Sequence, residues 1–133
     1  MKGKGLIKIY AGEMNAEQYF NHLTAEFPDI KDKINDWDSD MIFFKMEVFA
    51  EYTIDKIKSE NKEELIKCLD FQESKIDFVD SILLNAMVVS YCEALLLGEC
   101  RQQMDKVVDF MGPKLKKLYK DYETYYNNLG KKK

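Results

Sequence analysis

The chain has 133 residues, 46% hydrophobic and 33% charged, a length and balance that fit one domain around one core and exclude a disordered chain. Two prolines and six glycines are too few to turn the many short strands of a β-sandwich, and no apolar run approaches the ~20 residues of a membrane span. The formal net charge of −4 gives no hint of nucleic-acid binding overall, and it is uneven: residues 1–12 carry +3 and 113–133 carry +5, which leaves −12 for the body between them.

Leu6-Ile7-Lys8-Ile9-Tyr10 reads as strand-like, but no second strand is visible to pair with it, so residues 1–13 are expected to be a tail or a short extended segment. Asn15 with Gln18 reads as a capping box, and Ala16, Tyr19, Leu23 and Phe27 then recur at helical spacing until Pro28. Ile30, Ile34 and Trp37 suggest a short second helix. Asp38-Ser39-Asp40 is expected to cap a third, to about Lys58, with Met41, Phe44, Val48 and Tyr52 as one apolar stripe widened by Phe43, Met46, Phe49 and Ile57. Asn61 with Glu64 reads as a second capping box, opening a helix with Leu65, Ile66 and Leu69 inside. Asp77 is expected to cap a central helix, Phe78 to Leu97, apolar around nearly its whole circumference and closed by Gly98. A sixth helix carries Met104, Val107, Val108 and Met111. Gly112-Pro113 breaks the chain, and Leu115, Leu118, Tyr119, Tyr122, Tyr126 and Leu129 follow at helical spacing, with residues 130–133 read as a frayed end. The expectation is one all-α domain over 1–133, of six to seven antiparallel helices, as a helical bundle or a short α-solenoid of stacked helix pairs.

Residues able to do chemistry are sparse. His22 is the only histidine and has no His-x-x-x-His or Glu-x-x-His companion for a metal. Arg101 is the only arginine, and no Gly-rich loop cradles a phosphate. Asp36, Asp38, Asp40 and Glu47 match positions 1, 3, 5 and 12 of a calcium loop, but position six is Met41 where the turn needs glycine. Cys68, Cys92 and Cys100 are odd in number, lack Cys-x-x-Cys spacing and read as buried thiols of a reducing compartment. No signal-peptide core follows the first lysines, so a cytoplasmic location is expected. Glu93 falls on the same side of the central helix as Ile82, Ala86 and Val89, where a carboxylate must be paired or face a groove or solvent. Lysines 114, 116, 117 and 120 interleave with tyrosines 119, 122, 125 and 126, a pattern open to packing, to a protein or to a nucleic acid, with Tyr125 off the stripe. No catalytic centre, metal or cofactor is expected.

Tyr19-Phe20 to Phe27-Pro28, Trp37, Phe49-Ala50-Glu51-Tyr52, Asn61-Lys62-Glu63-Glu64-Leu65, and Val79 through Asn85-Ala86 to Glu93-Ala94-Leu95 stand in an order that resembles a family of small all-helical bacterial proteins. Some of that family are immunity proteins of contact-dependent-inhibition or polymorphic toxin systems. The resemblance covers about residues 15–98 and carries no functional residue across. It implies a protein that binds a cognate toxin, possibly a nuclease, and occludes its active or substrate-binding site. A nuclease's basic surface would be met by acids, which makes Asp36, Asp38, Asp40, Glu47 and Glu51 one candidate interface and Glu60, Glu63, Glu64, Asp70 and Glu73 a second. A helical scaffold, or a nucleic-acid helper working through the C-terminal helix, remains the alternative.

Overall fold

A computed structural model describes residues 13–131, with the side chains of 13–129. The strand-like run at 6–10 and the expected tail up to residue 12 lie outside the described residues, as do 132 and 133. Asn15 opens α1 (Ala16–Glu26): its side chain accepts from the Gln18 N–H at 2.9 Å, and the Gln18 side chain accepts from the Asn15 N–H at 3.0 Å, closing the capping box. Pro28 then starts a single 3₁₀ turn, Pro28–Ile30, where its missing N–H costs nothing, and α2 (Lys31–Asn35) follows.

Helix α3 (Ile42–Lys58) begins after Met41 with no side-chain cap. Asp38, expected to cap it, accepts from Met41 through its backbone carbonyl at 2.9 Å, which leaves the acids of this link in solvent. Lys45 ties α3 to α2. Its ammonium, in a residue only 7% exposed, donates to the Ile34 carbonyl at 2.7 Å, and burial lowers its pKa against the opposing pull of Asp38. The link to α4 (Lys62–Lys75) is a Schellman turn: Glu60 N–H donates to Ile57 and Asn61 N–H to Lys56, with Glu60 at φ 57°. Only half of the second capping box forms. Asn61 accepts from Glu64 N–H at 3.2 Å, but the Glu64 carboxylate turns to the Tyr52 hydroxyl at 2.9 Å.

Helix α5 (Ser81–Leu97) is capped by Asp80, not Asp77, its carboxylate accepting from Leu83 N–H at 2.9 Å. The cause is a one-residue parallel bridge between Met14 and Val79: Met14 N–H donates to Phe78 and Asp80 N–H to Met14, holding 78–80 extended so that the helix starts late. Asp77 pairs instead with Lys114. Within α5 the stretch Met87–Cys92 is π-helical. Gly98 closes it, but at φ −86° and ψ −169°, an ordinary extended angle; a Cβ there would lie 2.5 Å from the Ala94 carbonyl oxygen, so close approach is what requires glycine. The sixth helix is reduced to α6 (Met104–Val107) between 3₁₀ turns at Arg101–Gln103 and Val108–Phe110. Pro113 opens α7 (Pro113–Lys131), which continues through the expected frayed residues 130 and 131.

The seven helices among the described residues make an all-α bundle. α3 and α4 form a hairpin, and α5 returns beside α3 in the same direction: Thr53 meets Tyr91, Cys100 donates to the Ile54 carbonyl at 3.7 Å, and Lys58 pairs with Glu99. Phe27, Phe49, Phe71 and Tyr91 form the aromatic centre, their contacting ring pairs 5.2–5.8 Å apart. Its polar groups are satisfied: Tyr91 hydroxyl lies 2.8 Å from Thr53 Oγ1, which donates to the Phe49 carbonyl, and Tyr19 donates to Gln72 Oε1 at 2.5 Å. No single helix among the described residues is long and apolar enough to cross a membrane.

Candidate functional site

The first acidic group sits at one end of the bundle and along α3. Asp36, Asp38 and Asp40 are exposed in the link before α3, and Glu47 and Glu51 are exposed one turn apart on it. Among them stand Trp37, Met41, Phe43 and Phe44, each about 40% exposed, with the Trp37 ring stacked on Phe44 at 4.6 Å and 12°. The expected stripe through Met41 and Phe44 is therefore not the buried one. Met46, Phe49, Ala50, Thr53 and Ile57 face the core, joined by the stem of Lys45. Large apolar side chains are thus grouped in solvent here and rimmed by charge, which makes this end of the bundle a candidate surface. In the sequence the breadth of this apolar face implies burial on more than one side, whereas the structure leaves Met41, Phe43 and Phe44 exposed.

The second group is divided. Glu60 and Glu63 are exposed around the α3–α4 turn, and Asp70 is exposed further along α4. Glu64 is held by Tyr52. Glu73 is engaged deeper in the architecture: its carboxylate accepts from the backbone N–H groups of Lys114 at 3.1 Å and Leu115 at 2.8 Å, capping α7 from a distant helix. A Cβ on Gly112 would lie 2.4 Å from the Glu73 carboxyl carbon, so glycine makes room for this cap.

A third arrangement joins residues from both readings. Between α3 and α5 lies a groove of about 330 Å3 whose walls carry Glu47, Glu51, Glu93 and Glu99. Val89 and Leu97, 38% and 37% exposed, line it with Ile54 and Ser90. Glu93 thus faces a groove, and the Tyr122 hydroxyl beside it has its pKa raised by burial and by that carboxylate. Of the α5 residues expected on one side, Ala86 is buried while Ile82 and Val89 are exposed, so the helix is not covered all round.

The histidine is engaged and the cysteines are buried. His22 Nδ1 lies 3.0 Å from Lys75 Nζ, which donates to it, beside a cavity of about 570 Å3 shared with Lys67 and Asp70. Cys68, Cys92 and Cys100 are buried and unpaired, and burial pushes the thiols of Cys68 and Cys92 up to about 12, away from the thiolate form that reactivity needs. Among the described residues no three His, Cys, Asp or Glu converge closely enough to hold a metal ion. On α7, Tyr119 is buried, Tyr122 and Tyr126 are half-buried, and Tyr125 is exposed. Lys114, Lys117 and Lys120 pair with Asp77, Asp121 and Glu123.

No curated protein and no solved structure matches the chain. Residues 20–127 match the model of a family described as a domain of unknown function, DUF7674, and the chain belongs to that family.

Proposed function

We propose that this protein is a non-catalytic immunity protein that binds a cognate bacterial toxin in the cytoplasm and blocks its active or substrate-binding surface. The observation that carries the reading is the exposed Trp37–Phe44 stack set among Asp36, Asp38, Asp40, Glu47 and Glu51. Aromatic anchors supply contact area at low entropic cost, and flanking carboxylates steer and orient a basic partner. A nuclease whose substrate is polyanionic has such a basic surface. The three buried unpaired thiols suit a reducing compartment.

The test is co-purification with the product of the neighbouring gene, followed by rescue of growth in cells that express that product. Charge reversal at Asp38, Glu47 and Glu51 together is expected to weaken binding by at least tenfold, because several like charges then oppose a basic surface. Reversal at Glu60, Glu63 and Asp70 measures the second group independently. Rescue that is unaffected by either set, or the absence of any bound neighbour, would leave a helical scaffold as the better description. Salt-sensitive binding of RNA or DNA that disappears when 113–133 is removed would point to the C-terminal helix instead.

A further inference from the structure

We propose that the groove between α3 and α5 seats a basic amphipathic helix of the partner, with lysine or arginine side chains one turn apart lying along its carboxylates. The inference rests on the docking reading above and specifies its chemistry. α3 and α5 run side by side in the same direction, so the space between them is a trough and not a closed pocket.

Three features select the occupant. The first is charge. Glu47 and Glu51 have no ion-pair partner among the described residues, whereas Glu99 already holds Lys58 at 3.2 Å. An anionic or purely apolar occupant would strip water from these carboxylates and return nothing. The second is spacing. The acids do not converge on a point where a metal ion could sit. Glu47 and Glu51 instead follow one another along α3, about 6 Å apart as i, i+4 neighbours are, and a partner helix presents cations at that same interval. The third is Ser90. It is 4% exposed and lines the groove. It lies within the π-helical turn Met87–Cys92, a local geometry that recurs at functional sites. A hydroxyl placed there accepts a hydrogen bond from an ammonium or guanidinium group. The apolar floor fits the same occupant, since the stems of lysine and arginine cover Val89 and Leu97 while their heads reach the glutamates. Beyond the groove, exposed Phe43 and Ile82 at the N-terminal ends of α3 and α5 offer contact to the apolar face of such a helix.

The probe is a synthetic amidated peptide of about fourteen residues, roughly four helical turns, built from leucine, alanine and lysine with lysines at every fourth position. It is titrated into the full-length protein at low salt, with amide chemical shifts giving the location and calorimetry the affinity. The expected result is shifts concentrated at 47–54 and 89–99, with Glu51→Gln and Glu93→Gln each weakening binding about three- to tenfold. Val89→Lys places a resident cation in the trough; it is expected to abolish binding while leaving the circular dichroism spectrum and melting temperature at or above those of the parent. Shifts centred on α4 or on the His22 cavity overturn the proposal, as does a Val89→Lys variant that binds the peptide normally. Spermidine binding as tightly as the peptide overturns it in favour of a small polycation, and a dimer that the peptide dissociates overturns it in favour of a second copy of this chain. A seated peptide with no toxin rescued removes the immunity reading and keeps the groove. A toxin neutralised equally by the parent and by Val89→Lys does the reverse.

Discussion

Glu60 and Glu73 stand at the two ends of the second acidic group and are opposite in what the fold asks of them. Glu60 occupies the left-handed position of the Schellman turn between α3 and α4, where a side chain is strained and glycine is not. Glu60→Gly is therefore expected to raise stability by about 0.5–1 kcal/mol, less than the full relief because glycine also loosens the unfolded chain, and urea denaturation measures it. Glu73 supplies the N-terminal cap that Gly112 has no side chain to provide. Glu73→Ala is expected to cost about 1–2 kcal/mol in the same experiment, and Glu73→Gln less, since an amide oxygen still accepts one of the two N–H groups. Nothing in the local sequence distinguishes these two acids from Glu63 or Asp70. A cap donated from 41 residues away leaves no signature at its own position.

Among the elements, α7 tests how far helical spacing determines packing. Leu115 and Tyr119 are buried, Tyr122 and Tyr126 half-buried, and Tyr125 is 58% exposed. Tyr119→Ala is expected to cost about 3–4 kcal/mol and Tyr125→Ala less than about 0.5 kcal/mol, read as shifts of the denaturation midpoint. Such a stripe was legible because one face meets one neighbour surface. The start of α3 was not, since Phe43 and Phe44 are as apolar as Met46 and Phe49, and only the tertiary arrangement decides which pair is covered. The onset of α5 was misplaced for a related reason: Asp77 and Asp80 are both good caps, and the distant Met14 bridge selects the second. The acids of the candidate surface could be read from composition, but its aromatic component and the junction of Glu47, Glu51 and Glu93 across two helices could not, because periodicity says nothing about which helices become neighbours.

For the molecule as a whole, the buried titratable groups set a pH limit. Burial raises the Cys68 and Cys92 thiols from 9.0, and the Tyr119 hydroxyl from 10.0, to about 12. The folded state thus holds these groups neutral while the unfolded chain lets them ionise. Their contribution is complete below the unfolded values and is lost as pH rises towards the folded ones. Denaturation midpoints are expected to hold steady around neutrality and to fall progressively between about pH 9 and about pH 12; a rise across that interval would contradict the burial of these side chains. In the same way, a thiol reagent at neutral pH is expected to find all three cysteines unreactive in the native protein and all three reactive in denaturant. The lone tryptophan has a practical use of its own. Because Trp37 is 40% exposed and rests on Phe44 at the very surface proposed to meet the partner, its intrinsic fluorescence is an unlabelled reporter of complex formation. A blue-shifted emission maximum and shielding from iodide on mixing would register the encounter in real time.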